Sequence, residues 1–149
     1  MVQHQKILII DFGSQVSQLI ARQIRELGVY CELINHLKFN KKKRIDKSVK
    51  GIILSGGAKS TLSKSAPNIK WNLIFNKVPI LGICYGHQLI SNLCGGKTKY
   101  SRKKEFGSAI IFEKKKSKLT EGFKLEPGAL AQHAGALVAA RLEHADKNV

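Results

Sequence analysis

A thiol in the middle of the chain has the surroundings expected of a nucleophile. Residues 82–86 read Gly-Ile-Cys-Tyr-Gly, between an apolar run and a helical pattern. This G-x-C-x-G spacing is typical of a nucleophile elbow, a turn so sharp that glycines are needed on either side to avoid collisions. Cys84 would then lie at a helix N-terminus, whose partial positive charge favours the thiolate. The alternative is a buried structural cysteine flanked by ordinary turn glycines.

A second loop could stabilise the negative charge that such a nucleophile creates. Residues 55–57 read Ser-Gly-Gly after another apolar run. Backbone N–H groups of residues without side chains can approach an oxyanion closely, so Gly56 and Gly57 predict an oxyanion hole with the N–H of Tyr85 as second donor. Two alternatives are a plain turn and the phosphate loop S-G-G-x-D-S of ATP pyrophosphatases. Lys59 stands where that loop has aspartate, which argues against it.

Strands and helices that alternate along the chain must position these loops. Short apolar runs predict buried strands at 6–11, 30–34, 51–54 and 78–83. A helix closed by Gly28 is predicted by apolar residues at helical spacing, namely Val16, Leu19, Ile20, Ile24 and Leu27. A polar connector is expected over 38–50, an irregular helical stretch over 69–76 and a helix from Cys84 to Leu93. This order predicts an α/β doubly wound, mainly parallel sheet with helices on both faces and the loops at its carboxyl edge.

The composition changes near residue 125. Residues 1–124 hold 20 lysines and four alanines, whereas residues 125–149 hold one lysine and seven alanines. The stretch from Ala129 to Leu142 is helix-prone and weakly amphipathic. It predicts either a C-terminal helix of the same domain or, as we favour, a foreign tail on a sheet truncated before its last strands. We therefore divide the chain into 1–124 and an aberrant Ala-rich tail, 125–149.

Composition also bears on partners and location. The net charge of +16 raises nucleic acid as a partner, but the basic residues are scattered and have no interleaved aromatics that would stack bases. No specific nucleic-acid binding is predicted. Cys31, Cys84 and Cys94 lack metal-ligand spacing, so no metal site is expected. With no long apolar run and no secretory signal, no membrane association is expected and a cytoplasmic location is the default.

Several stretches together resemble the glutaminase domain of the GMP synthase family, within the class I glutamine amidotransferases. They are residues 7–32, which include Ile-Ile-Asp-Phe-Gly-Ser-Gln, residues 51–57, residues 79–90 and residues 105–107. The first stretch differs from that of anthranilate synthase component II, another member of the class. The likeness covers roughly residues 6–124, which are therefore expected to form a partial glutamine amidotransferase domain.

The resemblance implies a reaction and its partners. Cys84 would attack the side-chain carbonyl of glutamine, expel ammonia and leave a thioester that water hydrolyses. Gly57 and Tyr85 would supply the oxyanion donors, and Gln88 would help to hold the substrate. This domain would need no cofactor. The ammonia would pass to an ATP-pyrophosphatase domain that binds ATP, magnesium and XMP and is absent from this chain, so that XMP is aminated to GMP.

The sequence departs from the family in three respects. Ala58 stands where the motif Gly-Gly-Pro-x-Ser has proline. The His-Pro-Glu motif that supplies the family's base does not occur, nor does the Ser-His-Gly-Asp segment. None of the five histidines is expected to replace that base. They are His4, His36, His87, His133 and His144. The chain is therefore expected to be inactive alone. Alternatives are an amidotransferase subunit of another synthase, a non-catalytic remnant, or a basic nucleic-acid-binding protein.

Overall fold

The computed structural model describes residues 4–99 and three further short strands at 108–110, 130–132 and 139–142. In chain order the elements are strand β1 (Lys6–Phe12), helix α1 (Val16–Glu26), strand β2 (Cys31–Asn35), helix α2 (His36–Asn40), strand β3 (Val49–Gly57), a 3-10 turn (Trp71–Leu73), strand β4 (Ile80–Ile83), helix α3 (Tyr85–Leu93), and strands β5 (Ser108–Ile110), β6 (Leu130–Gln132) and β7 (Ala139–Leu142).

Five of these strands form one sheet, in the order β2-β1-β3-β4-β7. The first four are parallel, and β7 runs antiparallel to β4. Strands β5 and β6 form a separate antiparallel pair. The chain moves from β1 outward to β2 and then crosses to β3 on the other side of β1, which creates a switch point at the carboxyl edge. The predicted α/β, mainly parallel sheet is confirmed.

Helices cover both faces of this sheet, as predicted. Side chains alternate along β1, because successive residues of a strand point to opposite faces. Ile9 packs with Ala21 of α1 and with Cys31. Leu8 and Ile10 point the other way, into a larger cluster that includes residues of α2, α3 and the 3-10 turn. The sheet is thus packed between two apolar layers, which hold the carboxyl ends of its strands in place. The candidate loops begin at these ends.

Helix α1 forms where predicted, but only part of its predicted apolar face packs against the sheet. Its fully buried residues are Ser17 and Ala21. Ile20 and Ile24, which were predicted to face the core, are half-buried against the cluster around Ile9. Val16, Leu19 and Leu27, which were predicted to do the same, are 44%, 60% and 80% exposed. The helical period was therefore right, and the small side chains of Ser17 and Ala21 let the helix lie close to the strands.

Two connecting segments also differ from the prediction. Helix α2 overlaps the beginning of residues 38–50, the stretch that was expected to be a polar connector. Its formation is explained by Asn35, whose Oδ1 accepts the N–H of Leu37 at 2.8 Å as an N-cap, and by Phe39, which is fully buried. Further along, only a single 3-10 turn forms where a longer helical stretch was predicted.

Strands β6 and β7 lie in the Ala-rich stretch for which a helix was predicted. Strand β7 places Ala139 beside Ile83 and Leu142 beside Ile80. The free N–H and C=O groups of an edge strand outweigh the weak helix preference of alanine. Strand β7 therefore covers the edge of β4 that a truncated sheet was expected to leave open. The predicted boundary near residue 124 lies outside the described residues.

Candidate active site

The turn between β4 and α3 has the shape of a nucleophile elbow. Cys84 has φ +51° and ψ −109°, a conformation that a residue with a side chain rarely adopts and that costs of order 1–3 kcal/mol. Its carbonyl oxygen accepts the N–H of Gln88 at 3.1 Å, so the cysteine lies at the N-terminus of α3. The thiol is half-buried. The geometry agrees with the sequence, and the nucleophilic role of Cys84 stays a prediction.

The glycines on either side of Cys84 are required by close packing. A Cβ atom at Gly82 would lie 2.6 Å from Cδ1 of Ile90 and 2.7 Å from the carbonyl group of Gly86. A Cβ atom at Gly86 would overlap the carbonyl oxygen of Leu54 on β3. Contacts this short do not occur, so the elbow can form only because both positions lack side chains.

The end of β3 lies directly beside the elbow. A Cβ atom at Gly56 would lie 3.8 Å from Cβ of Cys84 and 3.4 Å from Oγ of Ser14, which follows β1. One at Gly57 would lie 3.0 Å from Cγ of Tyr85. The carboxyl ends of β1, β3 and β4 therefore meet around the thiol. Gly56 and Gly57 are placed where the sequence predicted an oxyanion hole, and their role as its donors stays a prediction.

Tyr85 is held firmly by its side chain. The residue is buried, its ring lies 5.1 Å from that of Phe12, and its hydroxyl donates a hydrogen bond to the carbonyl oxygen of Pro67. Burial also raises the pKa of the hydroxyl, which keeps it protonated as that donor. Tyr85 is the first residue of α3, where backbone N–H groups have no acceptor within the helix. An anchored ring thus fixes an N–H group beside Cys84.

Gln88 is exposed on α3, where it contacts the loop that follows β3. Its Oε1 accepts a hydrogen bond from the hydroxyl of Thr61 at 3.2 Å. Thr61 in turn lies 3.2 Å from the hydroxyl of Thr98, whose N–H donates to Oδ1 of Asn92 at 3.0 Å. These bonds tie the loop to both ends of the helix and orient the Gln88 amide.

The loop beginning at Ala58, which lacks the family's proline, is held by its own turns. The N–H of Ser63 donates to the carbonyl oxygen of Ser60 at 3.1 Å, and the N–H of Ala66 donates to that of Ser63 at 3.0 Å. Consecutive turns restrict the backbone dihedral angles of this loop, as a proline would at its own position.

The protonation of Cys84 differs from what the sequence predicted. The helix N-terminus favours thiolate, but burial raises the pKa of the Cys84 thiol. The thiol is half-buried, and the loss of hydration disfavours its charged form. At neutral pH Cys84 is therefore a thiol, and its activation requires a base.

None of the histidines that the structure describes is positioned as that base by its contacts. His36 stacks on Phe12 at a ring separation of 5.6 Å, just after β2. Its Nδ1 lies 3.3 Å from the carbonyl oxygen of Asp11, so its described contacts are with β1. His87 is half-buried on α3. His133 and His144 lie outside the described residues.

Three polar residues near the site were not singled out from the sequence. Oδ1 of Asp11 accepts hydrogen bonds from the N–H of Gly13 at 2.9 Å, the N–H of Ser14 at 3.3 Å and the hydroxyl of Ser17 at 2.6 Å. The Ser17 hydroxyl also lies 2.9 Å from that of Ser55, and both serines are buried. The available signal was Asp-Phe-Gly-Ser at the end of an apolar strand, a pattern typical of a turn that an aspartate side chain supports.

Across residues 4–99 and the short strands, no group of three or more His, Cys, Asp and Glu side chains could hold a metal ion. Within the same part of the chain, none of the helices has the length and apolar character needed to cross a membrane.

A parallel α/β sheet with a cysteine elbow facing a glycine-rich strand end defines a class of thiol-dependent acyl-transfer proteins. The family model described as Glutamine amidotransferase class-I matches residues 8–147, and the chain belongs to this family. The matched range crosses the predicted boundary near residue 124 and includes most of the Ala-rich tail.

Curated relatives that match the chain include GMP synthases (glutamine-hydrolyzing). That of Cytophaga hutchinsonii is 51% identical over 72% of this chain and 20% of its own length. That of Psychromonas ingrahamii is 44% identical over 98% of this chain and 27% of its own length. A solved structure from Thermoplasma acidophilum, described as one subunit of a GMP synthase, has a TM-score of 0.51 and 28% identity over 73% of this chain and 56% of its own. The chain thus spans about a fifth to a quarter of the curated relatives.

Proposed function

We propose that this chain is the glutaminase part of a GMP synthase, with Cys84 as its nucleophile. One observation supports the proposal above the others: Cys84 is held at φ +51°, at the start of a helix and beside Gly56, in a turn that only glycines at 82 and 86 permit. A strained nucleophile between a strand and a helix is characteristic of acyl-transfer enzymes.

The reaction proceeds by attack of the Cys84 sulfur on the side-chain carbonyl carbon of glutamine. A C–S bond forms, the carbonyl oxygen becomes an oxyanion, and the N–H groups of Gly57 and Tyr85 stabilise it. The C–N bond then breaks, and the amide nitrogen leaves as ammonia with the proton given up by the thiol. Water hydrolyses the thioester to glutamate. The ammonia aminates XMP at a synthetase domain that binds ATP and magnesium, and the glutaminase part itself needs no cofactor.

Gln88 holds the substrate. Its Oε1 is occupied by Thr61, which leaves the amide hydrogens as donors toward a carbonyl or carboxylate of glutamine. The cytoplasmic location remains a prediction.

The missing base limits what this chain does alone. Burial raises the pKa of the Cys84 thiol, and the sequence has no His-Pro-Glu motif to take its proton. We expect the chain to release ammonia from glutamine no faster than its Cys84→Ala variant, because a nucleophile without its base loses many orders of magnitude in rate.

A chimera tests the assignment. Appending a segment that carries the family's His-Pro-Glu motif should produce ammonia release that Cys84→Ala abolishes. A Cys84-dependent steady-state rate in the unmodified chain would contradict the expected inactivity. A folded chimera whose activity does not depend on Cys84 would contradict the assignment of the nucleophile.

A further inference from the structure

We propose that Ser55 is a positioning residue that fixes the direction of the peptide group between Gly56 and Gly57. The inference rests on the proposed function, because this peptide carries the Gly57 N–H that serves as an oxyanion donor. In a trans peptide the C=O and the N–H point in opposite directions. A hydrogen bond that holds the Gly56 carbonyl therefore also sets where the Gly57 N–H points.

Pairing with the neighbouring strands is irregular at this peptide, although Gly57 still pairs with Phe12 and bridges Gly13. Strand β3 has one residue more than β1 between two successive pairs, Ile10 with Leu54 and Phe12 with Gly57. Such a bulge disrupts the ladder and redirects the backbone. On the other side, the register with β4 ends at the pair of Leu54 and Gly82. Beyond this pair the register with β4 gives the backbone of β3 no further partner on that side.

The side chain of Ser55 supports the backbone at this point. Ser55 is fully buried, and its hydroxyl donates a hydrogen bond to the carbonyl oxygen of Gly56 at 2.9 Å. The same hydroxyl oxygen accepts the N–H of Phe12 at 3.4 Å. One hydroxyl thus connects a main-chain donor of β1 with a main-chain acceptor of β3, across the bulge.

Ser17 and Asp11 keep the Ser55 hydroxyl in place. The single hydrogen of the Ser17 hydroxyl is shared between two acceptors, Oγ of Ser55 at 2.9 Å and Oδ1 of Asp11 at 2.6 Å. Ser17 is buried on α1, and Asp11 is fixed in turn by the N–H of Gly13 at 2.9 Å. Buried polar groups that are connected in this way resist rotation, because leaving a partner unsatisfied is costly. Helix α1 and the loop after β1 thereby determine the orientation of an oxyanion donor.

Two alkylating probes separate this role from general structural support. With the chloroketone analogue of L-glutamine, the Cys84 sulfur forms a C–S bond, the C–Cl bond breaks, chloride leaves and the thiol proton goes to water. The ketone oxygen then lies where the oxyanion develops. Iodoacetamide alkylates the same sulfur by displacement of iodide at a saturated carbon and makes no oxyanion. The ratio of the two rates at Cys84, each divided by the rate with glutathione, therefore cancels the reactivity of the sulfur and reports the oxyanion donors together with binding of the glutamine part of the probe, which Ser55 does not contact.

We expect Ser55→Ala to lower this ratio on the order of tenfold or more, since removing an oxyanion donor outright costs about 100-fold or more. Ser17→Ala, which keeps the Ser55 hydroxyl but removes its neighbour, should lower the ratio less. Ser48→Ala is the matched control, because Ser48 is a buried serine just before the opposite end of β3. It should leave the ratio unchanged.

A Ser55→Ala protein with the parent's ratio would overturn the proposal. If circular dichroism shows that Ser55→Ala does not fold, Ser55→Thr and Ser17→Ala decide the question: the threonine hydroxyl should preserve the ratio, and an unchanged ratio in Ser17→Ala would overturn the proposal. A parent chain whose ratio is one, so that Cys84 favours the chloroketone no more than glutathione does, would instead contradict the proposed function itself.

Discussion

At the scale of single residues, the chemistry depends on a cysteine with a strained backbone conformation and a thiol that is protonated at neutral pH. The positive φ of Cys84 stores strain, and burial holds its thiol protonated. The packing of Gly82 and Gly86 imposes the first condition, and the half-buried position beside Gly56 imposes the second. Both are consistent with a nucleophile that is activated only when a base approaches.

The raised pKa leads to a prediction about pH. Because the folded-state pKa lies above that of the unfolded chain, the rate of Cys84 alkylation by iodoacetamide should reach half its maximum above the ordinary cysteine value of about 8.5. The same shift stabilises the fold below that value, and the stabilisation is lost as pH rises through the folded-state pKa. Mass spectrometry of peptides labelled at a series of pH values measures the rate at Cys84, and the chain unfolded in urea is the control. If the pH of half-maximal labelling in the folded chain is equal to or below that of the unfolded control, the predicted rise in the pKa of Cys84 is contradicted.

Sequence alone predicted residues with a distinctive spacing and missed those that act through burial. Cys84 was predictable because glycines two positions away on each side restrict the turn to one shape. Asp11, Ser17 and Ser55 were not, because they lie on three different elements and short polar residues are common at the ends of strands and helices. Only the fold brings their oxygens within 3 Å of one another.

At the scale of secondary structure, the elbow depends on contact between α3 and β3 as well as on its own turn. The carbonyl oxygen of Leu54 occupies the space beside Gly86, so the helix can start only if residue 86 has no side chain. This contact also sets the distance between the N-terminus of α3 and the end of β3, where the oxyanion donors lie.

Substitution of Gly86 tests that contact. Gly86→Ala should lower the free energy of unfolding by about 1–3 kcal/mol in urea titrations, because overlap with backbone outweighs the gain in helix propensity. Gly51→Ala is the matched control on β3. Its added methyl would lie 3.1 Å from Cδ1 of Ile7, the flexible end of a side chain, and should cost less. Equal losses for the two variants would contradict the proposed basis of the elbow.

Helix and strand positions were predictable where an apolar period was regular, and tertiary contacts decided the rest. The period in residues 16–27 indicated α1, but close approach to the sheet selected Ser17 and Ala21 as its buried face. Alanine content indicated a helix near residue 139, but the open edge of β4 recruited that segment as strand β7.

At the scale of the whole molecule, the described helices cover one face of the sheet only in part. Helix α1 covers β1 and β2, and beside it lies an apolar hollow of about 370 Å³ whose lining includes Ile24, Leu27, Val29, Ile53 and Leu81. Leu27 is 80% exposed. Apolar surface of this kind favours self-association.

We therefore expect the chain to aggregate and Leu27→Lys to reduce this. The lysine removes apolar surface at the rim of the hollow, and its effect on the free energy of unfolding should stay within about 0.5 kcal/mol because the position is exposed. Static light scattering during slow heating measures the aggregation. Gln18→Lys adds the same charge to an exposed position of α1 without removing apolar surface, and is the control. A parent chain that remains monodisperse through a sharp two-state transition would contradict this expectation.

The overall architecture was the most predictable level, because alternating strands and helices permit few arrangements. The order of the parallel strands and the meeting of three loops at one edge agree with it. The antiparallel addition of β7 could not be predicted, since it depends on an edge that exists only after the other strands have paired.

The most direct test of Cys84 as a glutamine-directed nucleophile is to identify which cysteine the chloroketone analogue of L-glutamine labels, with and without excess glutamine. We predict that Cys84 takes up the label before the exposed Cys94 and the buried Cys31, and that glutamine slows labelling at Cys84 only. The D-enantiomer should label all three with no such preference. Labelling of Cys94 as fast as Cys84, or labelling of Cys84 that glutamine does not slow, would contradict the assignment of this site.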